Sequence, residues 1–247
     1  EEGYDPNDPN KRSTPEGAFF EVPGGTQRSF ENLTFRFRDQ MKMNHWEHKG
    51  NDAIEIKSAD NCWVRNVYIV NVDHALMLGN VFQSSFVNLI FDHFYWRQGP
   101  QARERVGHMA IKPTATKCLF HNIEIRGAYS HELDIDGGTK DNVFSNVSGT
   151  SPEFTAHGPG ALGNLHTQVD YGWATRLTVA GSNQNEQTFW NMYGDETLET
   201  ADIDQASGHV FVGYDGDLQT TSTSTFWYED IEPQQLTPQN LYLSQLE

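Results

Sequence analysis

Basic residues are scarce in this sequence. It has 17 Lys and Arg against 34 Asp and Glu, so its formal net charge is −17. A chain of this charge repels a phosphate backbone and an anionic membrane surface. We therefore expect no nucleic-acid partner.

Long apolar runs are missing as well. The sequence has neither an apolar stretch long enough to span a bilayer nor a basic segment followed by an apolar one at its start. We expect no membrane insertion. The chain starts at Glu1 rather than Met, so we allow for additional domains or self-assembly among its partners.

Apolar residues make up only 36% of the chain, whereas 12% of residues are aromatic and 21 are glycine. This composition favours a β-rich fold with many turns over a helix bundle. A six-residue pattern recurs, with an apolar residue two places before an Asn and another directly after it. Its asparagines are Asn32, Asn66, Asn88, Asn122, Asn146 and Asn191. Their spacings indicate one coil of about 22 to 24 residues, with some intervals lengthened by loops or spanning two coils.

Short alternating strands at this period predict a solenoid, because each strand can pair with its copy one coil away at about 4.8 Å. An Asn at a corner tolerates the left-handed conformation and can hydrogen-bond to its neighbours above and below. The asparagine ladder and the coil length resemble the right-handed, single-stranded parallel β-helix of the pectate-lyase-like superfamily. The fold class expected is thus all-β. We expect a loop-rich segment over residues 1–27 and a β-helix over 28–247.

Three smaller expectations follow from the ladder. Ladder side chains should be buried, so the glycosylation sequons at Asn32 and Asn146 should carry no glycan. Cys62 and Cys118 lie two rungs apart, beyond disulfide reach, and should be free core thiols. At the end of the chain, Pro238 should open a short helical cap whose leucines cover an exposed edge of the stack; these leucines are Leu241, Leu243 and Leu246.

A column of Asp and His residues is the first candidate site. Counting 14 residues back from the ladder gives Asp52, His74 and His108, and one extra residue brings in His131. Imidazole beside carboxylate suits a transition metal or proton transfer. The alternative is that polar rings stack at a corner for structural reasons alone.

A second candidate is Asp134 with Asp136, two residues apart on a predicted strand. Both carboxylates should project from one face, which suits an acid/base pair or a Ca²⁺ site. The alternative is a solvated outer face. A shared Ca²⁺ would also let this acidic chain bind a polyuronate.

A third group comes from a less regular segment, since long loops concentrate function. It supplies His157, His166 and Arg176 as candidate catalytic residues. The candidate substrate-binding residues are Arg126, Lys112, Asp170 and Tyr171. The arginine-containing insertion 96–105 would either close over an acidic ligand or form a solvated loop.

The resemblance implies an extracellular or cell-surface protein that cleaves or modifies a polysaccharide, as a lyase or a glycoside hydrolase. The Arg-centred motif of pectate lyases is missing, and so are the paired Asp-Asp and Gly-His-Gly of polygalacturonases. No catalytic residue is therefore transferred by position. The alternative is a non-catalytic structural or adhesive β-helix of a cell-surface or extracellular assembly.

Overall fold

The fold is all-β and consists of two parallel sheets. The computed structural model describes residues 20–22, 25–37, 52–94, 107–127, 129–135, 137–149, 154–155, 160–172, 176–178, 186–194, 198–201, 208–218 and 226–246. Sheet A contains β1 (Phe20–Val22), β2 (Gly25–Thr26), β4 (Asp52–Asp60), β6 (His74–Phe82), β8 (Gly107–Thr116), β10 (Tyr129–Asp134), β12 (Phe154–Thr155), β14 (Arg176–Thr178), β16 (Leu198–Ala201) and β18 (Gly216–Leu218). Sheet B contains β3 (Ser29–Arg36), β5 (Trp63–Val70), β7 (Ser85–Asp92), β9 (Leu119–Ile125), β11 (Val143–Gly149), β13 (Leu165–Asp170), β15 (Thr188–Tyr193), β17 (His209–Tyr214) and β19 (Phe226–Glu229).

From β3 onward the chain alternates between the sheets, and each strand pairs in parallel with the next strand of its own sheet. The predicted repeats stand in register, so that Phe86 pairs with Phe120 and Phe120 with Phe144. Two strands already form within 1–27, where β1 and β2 both pair with β4. The sheet architecture therefore begins before residue 28. Among the described residues, no helix is long and apolar enough to cross a membrane.

Aromatic rings stack along the interior of sheet B. Phe86, Phe120, Phe144, Phe189 and Phe211 are all buried. Successive rings in this column are 4.6 to 4.9 Å apart between centroids and lie nearly parallel. Between Phe144 and Phe189 the column contains His166 instead of phenylalanine. Apolar residues at one register thus form the continuous core that the repeat predicts.

The asparagine ladder is confirmed. Each amide nitrogen from Asn66 to Asn146 donates to the side-chain oxygen of the preceding ladder Asn, at 2.5 to 3.1 Å. Every ladder Asn has a positive φ near 55°. Gln168 and Gly213 occupy the same register with φ of 54° and 60°, so the ladder position continues through residues that are not asparagine. The 45-residue interval before Asn191 therefore spans two coils.

The ladder side chains from Asn32 to Asn146 are exposed, contrary to the expectation of burial. Only Asn191 is buried, and its amide donates to the carbonyl of Gln239 in the C-terminal segment. In β5, for example, Val64 and Val67 point to the core while Arg65 and Asn66 between them face outward. The left-handed residue adds one outward position to the strand, so the amides hydrogen-bond on the surface. The burial argument against glycosylation therefore fails for Asn32 and Asn146, which are both exposed.

On the first coils, two-residue corners connect sheet A to sheet B, for example 61–62 between β4 and β5 and 83–84 between β6 and β7, whereas the connections after β10 are longer. The first corner residue is left-handed, as in Asn61 and Gln83. The second is buried and polar or thiol-bearing; this column contains Cys62, Ser84, Cys118, Asn142, Asn164, Gln187 and His209. Backbone amides donate to the next side chain of the column, as from Cys62 to Ser84 and from Cys118 to Asn142. Each buried corner amide thereby has a partner.

Both cysteines are buried and free, as predicted. Burial raises the pKa of the Cys118 thiol to about 11. A thiol with this pKa is protonated at neutral pH and a poor nucleophile.

The end of the chain differs from the predicted cap. It forms one-turn 3₁₀ helices at Pro233–Gln235 and Leu243–Gln245, and no helix begins at Pro238. Instead of covering an edge, the segment lies across the outer face of sheet B. Trp190 donates to the carbonyl of Pro238, and Leu241 N–H donates to the hydroxyl of Thr167. Polar backbone contacts determine this path, and both Leu243 and Leu246 remain exposed.

Asn240 is the main anchor of this segment. Its amide donates to Ser145 Oγ at 2.9 Å and to Gln168 Oε1 at 3.1 Å, and its Oδ1 accepts from Leu243 N–H. We expect Asn240→Ala to lower the free energy of unfolding by about 2 kcal/mol, because buried partners lose their hydrogen bonds. Chemical unfolding monitored by circular dichroism measures this. The control is Leu246→Ala, an exposed position, with an expected change within about 0.5 kcal/mol. Equal effects of the two variants would contradict the anchoring role.

Candidate metal centre

The candidate site lies where strands of sheet A begin. Asp52 is the first residue of β4, His74 the first of β6, and His108 the second of β8. The connections that enter these strands from sheet B differ in length, and those before β4 and β8 include residues 38–51 and 95–106 outside the described part. On these three coils the site is thus at the corner where the connection varies in length, whereas the opposite corner always has two residues.

The side chains of the predicted column form a contiguous row of polar groups. Asp52 Oδ1 is 2.6 Å from His74 Nδ1, and His74 Nε2 is 3.3 Å from His108 Nδ1. The carboxylate fixes the His74 tautomer with the proton on Nδ1, which leaves Nε2 directed at His108. His74 and His108 are buried, while Asp52 is partly exposed.

His131 extends this row of side chains, although β8 pairs with β6 and β10 in a register that differs from the expected one. Met109, rather than His108, pairs with both His74 and His131. The His108 ring nevertheless lies between the other two, with centroid distances of 5.2 Å to His74 and 5.4 Å to His131. His131 is half-buried. The row of imidazoles therefore extends from the buried rings of His74 and His108 to a ring that solvent can reach.

Asp73 belongs to the same cluster and was not predicted. It is 5% exposed, and its backbone carbonyl accepts hydrogen bonds from the N–H groups of His108 and Met109. Donor atoms of Asp73, His74 and His108 all lie within 4.8 Å of one another. Its position directly before His74 is the sequence signal that could have identified it.

The structure separates the other predicted residues from this cluster. Lys112 is on β8 and half-buried, and Asp134 ends β10 one place after Leu133, which pairs with Ile111. Arg176 begins β14 of the same sheet. The described residues do not include Asp136 or His157. Nor do they include the insertion 96–105.

Arg126 directly follows β9, and Asp170 is the last residue of β13, both in sheet B. Arg126 is exposed and forms a two-pronged ion pair with Glu124, at 2.7 and 3.0 Å. This pairing raises the pKa of the guanidinium further, so Arg126 stays protonated. The Asp170 carboxylate accepts the N–H of Gly172 at 2.9 Å and caps a turn.

His166 and Tyr171 lie in the core, with no accessible side-chain surface. Burial lowers the pKa of His166 to about 3, so its ring is neutral between the flanking phenylalanines. Burial also raises the pKa of Tyr171, whose hydroxyl donates to the carbonyl of Asp215. Neither side chain can contact a ligand in this conformation, and both are left out of the site proposed below.

The chain matches no protein-family model, no curated protein and no solved structure. Its chemistry is therefore argued from the cluster itself. Two imidazoles and two carboxylates suit a transition metal or the transfer of protons. They do not suit calcium, which takes six to eight oxygen ligands. A Ca²⁺ site formed by Asp134 and Asp136 remains a prediction from the sequence.

Proposed function

We propose that this protein is an extracellular or cell-surface carbohydrate-active protein with a right-handed parallel β-helix of the pectate-lyase-like kind. Its role is to cleave or modify a polysaccharide at the cluster of Asp52, His74, His108 and His131. The handedness rests on the rule that parallel strands of one sheet are joined by right-handed crossovers. The two-sheet alternation and the ladder support the resemblance.

The main support for the proposal is the row of hydrogen-bonded side chains that consists of one carboxylate and the imidazoles. In the metal-free chain, Asp52 orients His74, and His74 in turn accepts the Nδ1 proton of His108, which leaves His108 Nε2 as a base. A base oriented by a second group, which is itself oriented by a carboxylate, is the arrangement that general acid–base catalysis requires. His131 lies next to His108 and is partly exposed, so a sugar hydroxyl or ring proton would contact the row of imidazoles at this residue.

A panel of neutral and acidic polysaccharides tests this proposal. New reducing ends report hydrolysis, and ultraviolet absorbance of an unsaturated sugar reports β-elimination. We expect His131→Ala to lower kcat by about 10² to 10⁴, the range of general acid–base catalysis, without a change in melting temperature. His121→Ala on sheet B is the matched control and should keep full activity.

A structural or adhesive module is the second candidate. The exposed ladder favours it, because Asn88, Asn122 and Asn146 present amides at one-rung intervals along a shallow groove of about 300 Å³. Ile90, Glu124 and Ser148 also line this groove. Binding to an insoluble polysaccharide without turnover on the same panel would favour this candidate. Full activity in His131→Ala would exclude the proposed cluster as the catalytic site.

A further inference from the structure

We propose that His74 Nε2, His108 Nδ1 and the carboxylate of Asp73 bind one divalent transition-metal ion of the zinc class. Asp52 would hold the His74 ring in place from behind. This proposal does not depend on the polysaccharide activity, since metal binding is measured without any substrate.

The separation of the two imidazole nitrogens is the first argument. His74 Nε2 and His108 Nδ1 are 3.3 Å apart. Two nitrogens that each lie about 2.0 to 2.1 Å from a tetrahedral ion are separated by about 3.3 Å. The ring planes are inclined by 50°, so both lone pairs can turn toward a common point. The ion would replace the proton that the two nitrogens otherwise share.

The position of Asp52 is the second argument. A histidine that binds a metal through one nitrogen usually donates its other N–H to a carboxylate or carbonyl. His74 has this arrangement, with Nδ1 at 2.6 Å from Asp52 Oδ1. The pair leaves Nε2 unprotonated and oriented toward His108, which is the state a metal ligand needs.

Charge and burial are the third argument. Asp73, His74 and His108 are 5%, 8% and 4% exposed. The Asp73 carboxylate is buried beside both imidazoles, and a buried carboxylate is usually paired or bound to a metal. A divalent cation would neutralise it. The cluster thus has the charge as well as the geometry of a cation site.

The donor set decides the class of ion. Two imidazoles with one carboxylate suit Zn²⁺, Co²⁺ and their neighbours, whereas Ca²⁺ and Mg²⁺ prefer oxygen alone. Three protein donors also leave a fourth position of a tetrahedral ion open, as in catalytic rather than structural zinc sites. His131 lies on the side of His108 away from His74, where the row of rings becomes accessible to solvent.

Cobalt titration of the full chain, stripped of metal with a chelator, tests the proposal. We expect one Co²⁺ per chain, with the intense visible bands of a tetrahedral site and without a thiolate charge-transfer band. Zn²⁺ should displace the cobalt and excess Ca²⁺ should not. A thiolate band, displacement by Ca²⁺ or no stoichiometric binding would each overturn the proposal, and none of these readouts needs a variant.

Variants then locate the ion. His74→Ala and His108→Ala should weaken Zn²⁺ binding at least 100-fold, and Asp52→Asn should weaken it about 10- to 100-fold. His121→Ala is the control, because this half-buried histidine lies on sheet B and should leave affinity unchanged. If folded His74→Ala and His108→Ala bind as tightly as the unsubstituted chain, the ion lies elsewhere and the assignment is wrong. Metal binding without polysaccharide activity would contradict only the proposed function.

Discussion

Replacing His166 with phenylalanine is expected to make the protein markedly more resistant to acid. His166 occupies a phenylalanine position in the stacked column, 4.9 Å from Phe144 on one side and 4.9 Å from Phe189 on the other. Phenylalanine therefore fits the stack. At neutral pH we expect a change within about 1 kcal/mol, since the substitution also removes a polar interaction with Gln187.

The pH dependence follows from the lowered pKa. The folded ring has a pKa of about 3, against 6.5 when accessible to water, chiefly because of burial. Below pH 6.5 the unfolded chain takes up a proton that the folded chain does not, so folding stability falls as the pH falls. The loss is about 1.4 kcal/mol per pH unit, and on the order of 3 kcal/mol at pH 4.5. His209, whose pKa is lowered to about 4 mainly by burial, adds to the same trend and is retained in the variant.

Urea unfolding of both proteins at pH 7 and pH 4.5 measures the effect. We expect the difference between His166→Phe and the unsubstituted chain to shift by about 3 kcal/mol in favour of the variant. Phe189→Leu is the matched control, since it disturbs the same stack without removing a titratable group and should leave the pH slope unchanged. A slope in His166→Phe equal to that of the unsubstituted chain would show that His166 is not buried as a neutral ring.

Gly107→Ala is expected to cost about 3 kcal/mol of folding stability, at the upper end for overpacking. A Cβ at this position would overlap the ring of Tyr129 and would lie 2.8 Å from the carbonyl oxygen of Val72. Tyr129 is 2% exposed and packs edge-on against His93, so its ring has no free space to enter. The Val72 carbonyl belongs to the backbone of the connection between β5 and β6, and it moves only if that connection moves.

Gly79→Ala is the matched control on the same sheet. A Cβ there meets only Lys57 Cγ at 3.3 Å, which belongs to a flexible side chain, so the change should stay within about 0.5 kcal/mol. Thermal and urea unfolding of the two variants measure the difference. Equal stability of the two would mean that the strands around Gly107 lie farther apart than described.

The fold could be predicted to the level of parallel sheets because one residue type marked the left-handed position within most strands of sheet B. Gln168 and Gly213 were not recognised as ladder members because they differ in type, although they share the left-handed φ. This omission explains the assignment of His166 to a catalytic role. His166 precedes Gln168 by two residues, as Phe144 precedes Asn146, and that register predicts a core position.

The candidate site could be predicted in part. A solenoid converts a fixed count along the sequence into contact, so counting back from the ladder brought Asp52, His74 and His108 together. The same rule selects one residue per coil and therefore missed Asp73. The path of the C-terminal segment could not be obtained by such counting, because Asn240 contacts Ser145 across 95 residues of sequence with no periodic relation.

The two-residue corner between β4 and β5 and the long connection between β3 and β4 differ in how well they tolerate inserted residues. One residue added at the two-residue corner between Asp60 and Trp63 would displace Asn66 and the buried face of β5 from their neighbours in β3 and β7. A peptide added between Arg36 and Asp52 leaves every pairing intact. On the coils of β4, β6 and β8, new segments are therefore grafted more readily on the side that bears the histidines, so a lineage could exchange one ligand for another while its framework stays the same.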